Sequence, residues 1–433
     1  MKRLIAAGFA FLPTFLFAQD FTYGVKLELR GNYRNSNEEK FPLRTPFPPI
    51  TLPVGQTVGF EETVDGGSHA ELSVADIQLD LGYGKWFAAR TKFHAVDKYR
   101  RNPTSEDRMT DADELWVRFG ENPTFLARPE KTSFFIQLGK APKMERQPIR
   151  LLESYGLAST AFNRFEDVQA IGGGSIGRNF YWRVQGGNGN PLYFRDPNAL
   201  AGDNGIQELL TANPDPELKS GFPIFYNAET EGYFFNSSNL QFGQGLGYKW
   251  QNDAQTMGFD VLAFHYLRTM PYSEHLTGTF YGTNIDLIDG PEVEGLHFGI
   301  PTNGDKKEET GARLYSEWGQ LTVMAQYTHQ EFTGLERNGW EVESGYSFAT
   351  EWGWLRTIQP AARWSGLQPN YRAIADKRYP APSVWWPWTK IDAGVRIGFV
   401  HGFDVTIERA KHLVGSPRKL DLGETLVTLR LRV

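Results

Sequence analysis

A run of basic side chains between residues 140 and 164 has the clearest capacity for chemistry in this sequence. Its first four cations follow one another at spacings of three or four residues, and the set comprises Lys140, Lys143, Arg146, Arg150 and Arg164. Pro142 and Pro148 disfavour a continuous strand, so we expect a loop with short helical turns. Cations at the narrow point of a pore set ion preference. The alternative is a loop packed on a rim, with its cations paired to Glu145, Glu153 and Glu166.

The sequence contains two motifs for catalysis or cofactor binding, but neither is followed by the secondary structure that it requires. Gly173, Ser175 and Gly177 match G-x-S-x-G, and the same stretch matches G-x-G-x-x-G, but both motifs require a helix to follow. Residues 180–185 instead alternate as a strand, so the glycines are expected to form a turn. We therefore expect no catalytic residues, no cofactor and no enzyme activity.

Metal-binding and nucleic-acid-binding patterns are equally weak. The eight histidines show no pair at metal-ligand spacing. One acidic group could hold Ca²⁺ between loops, namely Glu106, Asp107, Asp111, Asp113 and Glu114, but it lacks the EF-hand pattern, and a solvated loop explains it more simply. No basic stretch interleaved with aromatic residues is present. We expect neither a metal site nor a nucleic-acid partner.

The elements that must position the basic segment are strands with a period of two. Residues 21–30 alternate apolar with polar side chains, and 112–120, 180–187 and 423–433 do the same. The polar faces are too charged for a dry core, and their cations include Arg90, Lys92, Arg118 and Arg183. Comparable numbers of carboxylates interrupt these cations. Such strands fit a wall between lipid and a wet lumen.

Segmentation on this period predicts an all-β fold of about sixteen strands. The predicted strands lie near 21–30, 69–82, 86–96, 112–120, 133–141, 167–175, 179–187, 239–250, 257–267, 309–318, 321–330, 339–349, 358–366, 388–398, 402–411 and 423–433. Their connections alternate between short turns and long, Pro-rich or charged segments. This alternation predicts a transmembrane antiparallel β-barrel with short periplasmic turns and long extracellular loops. We expect the third loop to fold into the lumen.

The two ends of the sequence agree with an exported protein. Lys2 and Arg3, the apolar run 4–17 and Ala18 predict a cleaved signal peptide at residues 1–18. Residues 19–433 are then a single barrel domain that ends on the alternating strand before Val433. The chain has no cysteine, so a disulfide framework is excluded. Its formal net charge is −6.

Several segments resemble the phosphate-selective porin family. The similarity lies in Phe134 to Lys140, Pro142, Glu145, Arg164 to Ile171, Phe180 to Gly187, Trp340 to Phe348, Ala361 to Trp364, Ile391 to Val400 and Leu426 to Val433. It extends over most of the chain after the signal peptide, through motifs of low specificity. The resemblance implies a sixteen-stranded barrel, commonly trimeric, with an inward third loop and phosphate-like solutes.

Together these observations predict an outer-membrane porin. We expect a passive channel for small hydrophilic solutes with a modest preference for anions, pore-lining cations in the third loop and on the wall, a homotrimeric assembly, and contact with outer-membrane lipid and lipopolysaccharide. The alternative from another class is a barrel that sheaths a partner protein such as a cytochrome in an electron-transfer conduit. A soluble exported β-protein is a further alternative.

Overall fold

One closed antiparallel barrel contains all the long strands that the structure describes. The computed structural model describes residues 21–37, 40–42, 60–62, 67–95, 110–122, 126, 132–162, 166–189, 192–195, 219–220, 224–226, 240–269, 277–280, 283–286, 292–293, 296–297, 305–332, 334–370, 386–415 and 419–433. The predicted signal peptide lies outside these residues, so it and the single-domain division stay predictions.

The barrel has sixteen strands, and each coincides with a strand predicted from the sequence. They are β1 (Phe21–Ser36), β2 (Gly67–Tyr83), β3 (Phe87–Ala95), β4 (Thr110–Gly120), β5 (Ser133–Pro142), β6 (Glu166–Ile176), β7 (Phe180–Gly187), β8 (Gln241–Gln251), β9 (Met257–Thr269), β10 (Lys306–Trp318), β11 (Leu321–Phe332), β12 (Leu335–Tyr346), β13 (Leu355–Pro369), β14 (Trp388–Phe399), β15 (Phe403–Val414) and β16 (Leu422–Arg432). Phe348–Ala349 adds a short strand beside β13.

Short strands outside the barrel lie in the long connections. They are Lys40–Pro42, Phe60–Glu62, Leu192–Arg195, Lys219–Ser220, Ile224–Tyr226, Thr277–Phe280, Thr283–Asp286, Glu292–Val293 and Leu296–His297. The other rim has short connections, such as the turn 84–86 and the 3-10 helix Val400–Gly402. We call these two ends the long-loop rim and the short-turn rim. The predicted alternation of loop lengths is confirmed.

The sheet closes because its first and last strands pair with each other. Every barrel strand pairs antiparallel with its neighbour in sequence, and β16 then pairs with β1, where Leu431 lies opposite Leu29. Closure leaves no unpaired strand edge, so the backbone N–H and C=O groups are satisfied within the sheet. A sheet in a lipid bilayer has to meet this condition.

The distribution of polar and apolar side chains is the reverse of that in a soluble protein. On β16, Leu429 is 50% exposed, whereas the alternate residues Thr428 and Arg430 are 0% and 4% exposed. Large apolar side chains are exposed along the outer face of most strands, and charged side chains are buried on the inner face. The outer face therefore suits lipid, and the inner face encloses a polar lumen.

Aromatic rings form a belt at the short-turn rim. The rings include Tyr83, Trp86, Phe87, Phe119, Phe180, Tyr248, Trp250, Phe259, Trp318, Tyr346, Phe348, Trp352, Trp354, Phe399 and Phe403. Neighbouring rings are in contact, with centroids 5.0 Å apart for Phe180 and Tyr248 and 5.7 Å apart for Trp354 and Phe399. Amphipathic aromatic rings favour the interface between lipid and water, so the belt indicates one edge of the apolar band.

The third long connection enters the lumen, as predicted. Its helix α1 (Leu157–Phe162) packs into an apolar cluster with Leu367 of β13 and Trp388 of β14. Nearly every residue from Leu151 to Phe162 is buried. Within the described part of the chain, no helix is long and apolar enough to cross a membrane.

The lipid-facing assignment of β15 can be tested at Ile407, which lies mid-strand between Val395 of β14 and Val427 of β16. We expect Ile407→Arg to lower the free energy of unfolding in lipid vesicles by about 2–4 kcal/mol, because it places a charge in the apolar band. Ile407→Ala, the matched control, should lose less. Denaturant titration followed by tryptophan fluorescence measures both, and equal losses would contradict the assignment.

Candidate functional site

The third loop, residues 143–165, is fastened at its base by Lys143. The ammonium lies 2.5 Å from Glu309 of β10 and 3.0 Å from Glu145, and 4.4 Å above the ring of Tyr266. Tyr266 in turn donates a 2.5 Å hydrogen bond to Glu145. The Lys143 side chain has no exposed surface. The buried charge of Lys143 therefore attaches the base of the loop to β9 and β10.

The middle of the loop is held through its backbone by two carboxylates of the opposite wall, which we call the latch. Glu343 of β12 accepts hydrogen bonds from the Leu151 and Leu152 amides at 2.6 and 2.9 Å. Glu408 of β15 accepts from the Glu153 amide at 2.9 Å and from the Ser154 hydroxyl. Because charge-assisted hydrogen bonds are strong when buried, the latch fixes the path of the loop across the lumen.

Arg363 of β13 completes the latch by supplying the opposite charge. Its guanidinium lies 3.3 Å from Glu343 and 3.0 Å from Asp392 of β14, and donates a 2.8 Å hydrogen bond to the Ser154 carbonyl. A buried carboxylate without a cation or hydrogen-bond donors would strongly destabilise the fold. The arginine therefore supplies positive charge and hydrogen-bond donors to the same buried cluster in which the latch carboxylates bind loop amides.

The Glu153 carboxylate is a third point of attachment, on the wall formed by β1, β14 and β16. It lies 2.7 Å from Arg396, 2.9 Å from Arg430 and 3.5 Å from Arg30. Burial alone would raise the pKa of Glu153, but Arg430, Arg30 and Arg396 lower it to about 2. The glutamate thus stays ionised and joins the loop to β1, β14 and β16.

A water-accessible passage remains on the side of the lumen that the loop does not occupy. The inward side chains of Arg90 and Asp80 are 31% and 28% exposed, whereas Arg363 and Lys390, under the loop, are 0% exposed. The passage therefore runs between the third loop and the wall formed by β2, β3 and β4. Its position is the candidate site for solute transfer.

The predicted wall cations Arg90 and Lys92 face this passage in ion pairs. Arg90 lies 2.6 Å from Asp80 and 3.5 Å from Glu114. Lys92 lies 3.0 Å from Asp76 and 2.7 Å from Asp113. This part of the wall has both signs of charge in close contact, so its net field is weak.

The remaining predicted loop cations differ from one another in their surroundings. Arg146 pairs with Glu166; burial alone would lower the pKa of Arg146, but Glu166 and Tyr155 raise it. Arg150 lies 3.8 Å above the ring of Tyr155. Lys140 continues the outward row of Ile136 and Leu138 on β5 and lies opposite the exposed Leu115 of β4, so alternation places it on the outer face and not at the predicted pore-lining position. Arg164 lies outside the described residues, and a pore-lining role for Arg146, Arg150 and Arg164 stays a prediction.

Arg118 and Arg183 are the predicted wall cations without a carboxylate partner in the described part of the chain. The Arg118 guanidinium lies 5.4 Å from the Trp116 ring. Arg183 donates a 2.7 Å hydrogen bond to Asn122 and lies 4.8 Å from the Phe135 ring. Cation–π contacts hold a guanidinium in place without neutralising its charge. The two arginines therefore leave positive charge on the short-turn half of the wall.

Two further cations extend this basic region, which we call the basic wall: Arg118, Arg183, Lys249 and Arg313. Lys249 of β8 and Arg313 of β10 lie 3.8 and 3.5 Å from the same carboxylate, Asp260 of β9. Tyr181 donates a 2.5 Å hydrogen bond to Asp260 and also contacts Arg183. The region thus joins five strands into one electropositive surface.

Lys249 and Arg313 are the members of the basic wall that the sequence analysis did not name as site residues. The latch carboxylates Glu343 and Glu408 and the base contact Tyr266 were missed as well. Strand alternation predicts that each of these side chains points inwards, and this is the one indication that the sequence gives. Their contacts with the loop depend on where it crosses the lumen, which alternation does not specify.

One cluster could in principle hold a metal ion, among the residues that the structure describes: Asp76, His94 and Asp113. His94 Nδ1 lies 2.6 Å from Asp76, and a register shift in β4 lies beside it. The Lys92 ammonium contacts both carboxylates and so already supplies their positive charge. The cluster is best described as an ion-paired part of the passage wall.

Comparison with known proteins supports the fold of this chain and nothing finer. No protein-family profile and no curated protein sequence matches the chain. Among solved structures, OmpF of Salmonella typhi, in complex with daunomycin, is 11% identical over 96% of this chain and 98% of its own, with a TM-score of 0.52. OprB of Pseudomonas putida is 10% identical over 95% and 94%, with a TM-score of 0.51.

A third solved structure, a loop-deletion mutant of OmpT, an outer membrane protein of Vibrio cholerae, is 10% identical over 96% of this chain and all of its own, with a TM-score of 0.50. Identities this low support a shared architecture, and the barrel is that of outer-membrane proteins. The finer resemblance to the phosphate-selective porin family is not confirmed by these comparisons.

Removal of the latch should free the loop backbone. In Glu343→Ala/Glu408→Ala we expect the amides of residues 151–154 to exchange with deuterium at least about tenfold faster, because their buried acceptors are lost. Hydrogen-exchange mass spectrometry measures this. Glu114→Ala, which removes a carboxylate of the passage wall, should leave these amides unchanged; equal protection in all three proteins would contradict the latch.

Acid should weaken the attachment at Glu153. Its lowered pKa means that the ionised carboxylate stabilises the fold above about pH 4.5, and that this stabilisation is lost as the pH falls from 4.5 towards 2. Thermal unfolding of the wild type and Glu153→Gln should therefore differ at neutral pH and converge over that window. A difference that is independent of pH would contradict the ionised state.

Proposed function

We propose that this chain is an outer-membrane porin, a passive diffusion channel for small hydrophilic solutes with a preference for anions. The supporting observation is the inward third loop, which buries one side of the lumen while charged side chains of the β2–β4 wall stay partly exposed. Attachment at Lys143, at the latch and at Glu153 holds the loop in place. A fixed, charged constriction sorts solutes by size and charge without chemistry.

The anion preference rests on the basic wall. The charges of Arg90, Lys92 and Arg146 are balanced by carboxylates within 4 Å, and screening over about 8–10 Å at physiological salt then removes most of their field. Arg118 and Arg183 have no such partner among the described residues. The sequence analysis placed the anion bias in the third loop; the contacts favour a bias from the wall. Small oxyanions such as phosphate are suitable solutes, because guanidinium groups bind them well.

Location and assembly follow from the same proposal. The chain is exported by its leader, residues 1–18, and inserted in the bacterial outer membrane, with the short-turn rim in the periplasm and the long-loop rim outside. Outer-membrane lipid, lipopolysaccharide and two further copies in a homotrimer are the proposed partners. The sheath for a cytochrome is less favoured, because the third loop already fills the side of the lumen along β9–β16.

Ion selectivity tests this function. In planar bilayers with a salt gradient, we expect Arg118→Gln/Arg183→Gln to lower the ratio of anion to cation permeability about twofold or more, because two unbalanced charges leave the wall. Arg118→Lys/Arg183→Lys should keep the wild-type ratio and thereby control for folding. Arg409→Gln, on the lipid-facing side, should also leave the ratio unchanged.

Two outcomes would reject the proposal. An unchanged ratio in Arg118→Gln/Arg183→Gln would remove the anion preference from the basic wall. Absence of any conductance from the refolded wild type, confirmed as folded by heat-modifiable gel migration, would reject the channel itself.

A further inference from the structure

Two cations interrupt the lipid-facing row of β15 near the long-loop rim. Phe403, Val405 and Ile407 point outwards and are followed by Arg409 and Lys411, and then by the exposed Leu413. The alternate residues Asp404, Thr406 and Glu408 are 8%, 0% and 2% exposed and face the lumen. Alternation therefore places both cations on the outer surface, near the long-loop rim.

The height of these cations can be gauged from the aromatic belt. Arg409 and Lys411 lie six and eight residues beyond Phe403, which with about 3.3 Å per residue and a tilt of about 40° is roughly 15 and 20 Å along the membrane normal. The apolar band of such barrels is about 25 Å tall. Both cations therefore lie in the half of the band nearest the long-loop rim, approaching its edge.

A cation at this height is costly unless it meets an anion. Arginine or lysine on the lipid face is strongly destabilising at the midplane and much less so near the interface, where long side chains reach the headgroups. Asp421 pairs with Lys411, whereas Arg409 forms no ion pair with another residue that the structure describes. This part of the described surface therefore keeps positive charge at the boundary with lipid.

Hydrogen-bond donors surround this charge on the neighbouring strands. Arg409 donates a 2.8 Å hydrogen bond to Thr425 of β16, and Asn35 of β1 lies opposite Thr425 in register. Asn35 contacts Ser68 of β2 at 2.8 Å. We call Arg409, Lys411, Thr425, Asn35 and Ser68 the rim patch. It offers guanidinium, ammonium, hydroxyl and amide donors over three strand spacings, each about 4.8 Å.

We propose that the rim patch binds the phosphate group of a phosphorylated lipid headgroup in the adjoining leaflet. Guanidinium and ammonium groups are the usual protein partners of phosphate. The outer surface next to the patch is apolar: Ile407 precedes Arg409 on the outer row of β15, Ile391 of β14 lies opposite Lys411, and both side chains are exposed. A lipid satisfies both parts, since its phosphate meets the cations while its acyl chains cover the apolar row. A soluble anion would gain nothing from that row.

This inference rests on the outer-membrane location proposed above and is independent of solute transport. The rim patch lies on the outer surface, and the proposed passage lies inside the barrel. Lipid binding and conductance can therefore fail separately.

Native mass spectrometry of the refolded full chain in detergent tests the site, with diphosphorylated lipid A as the probe. We expect Arg409→Gln/Lys411→Gln to weaken lipid A binding about tenfold or more, since each cation near anionic lipid contributes about 1 kcal/mol. The matched control is Arg356→Gln/Arg432→Gln, which removes two exposed cations from the short-turn rim and should bind lipid A as the wild type does.

Further arms separate the sources of the phosphate and the other occupant of such a surface. Lipid A stripped of its phosphates should bind the wild type and Arg409→Gln/Lys411→Gln equally weakly, and millimolar inorganic phosphate should not displace the intact lipid. Equal binding of intact lipid by both proteins, or displacement by inorganic phosphate, would overturn the proposal. Loss of an oligomer in the variant without lipid would also overturn it, by assigning the patch to contact between copies of this chain.

Discussion

Closure of β1 onto β16 is the constraint on which the rest of the structure depends. In lipid, an unpaired strand edge would leave backbone donors and acceptors without partners, so the sheet has to close. Once it closes, strict alternation sends every second side chain inwards and the others to lipid. The charged residues of this sequence are then concentrated in a lumen too narrow for all of them to stay hydrated.

The charges of the lumen are stabilised mainly by one another and by the third loop. Arg363 with Glu343 and Asp392, and Glu153 with Arg396 and Arg430, are buried ion pairs linking loop and wall. Loss of one partner in such pairs is more damaging than loss of both, because a buried charge is left alone. The loop is therefore part of the barrel's charge balance as well as its constriction.

The proposed function depends on how completely the charges of the lumen wall are paired. Along β2, β3 and β4 the opposite charges are close together, which favours passage of hydrophilic solutes without strong selection. Arg118 and Arg183 form no ion pair among the described residues, and the proposed anion preference rests on these two arginines. On the outer surface, Arg409 and Lys411 interrupt a row of apolar side chains. Because they face the membrane, their proposed ligand is a lipid and not a transported solute.

The sequence by itself determined the sixteen strands, the alternation of short turns and long loops, and the inward third loop, because a period of two and turn composition are local properties. It also placed Arg118 and Arg183 on the inner face. Only the tertiary structure decided that Lys143 lies buried against Glu309, that Glu343 and Glu408 bind loop amides, and that Arg90 is paired while Arg183 is not. These contacts join residues up to 255 positions apart, and the path of a loop across a lumen is set by the summed pairing of buried charges, which no local pattern encodes.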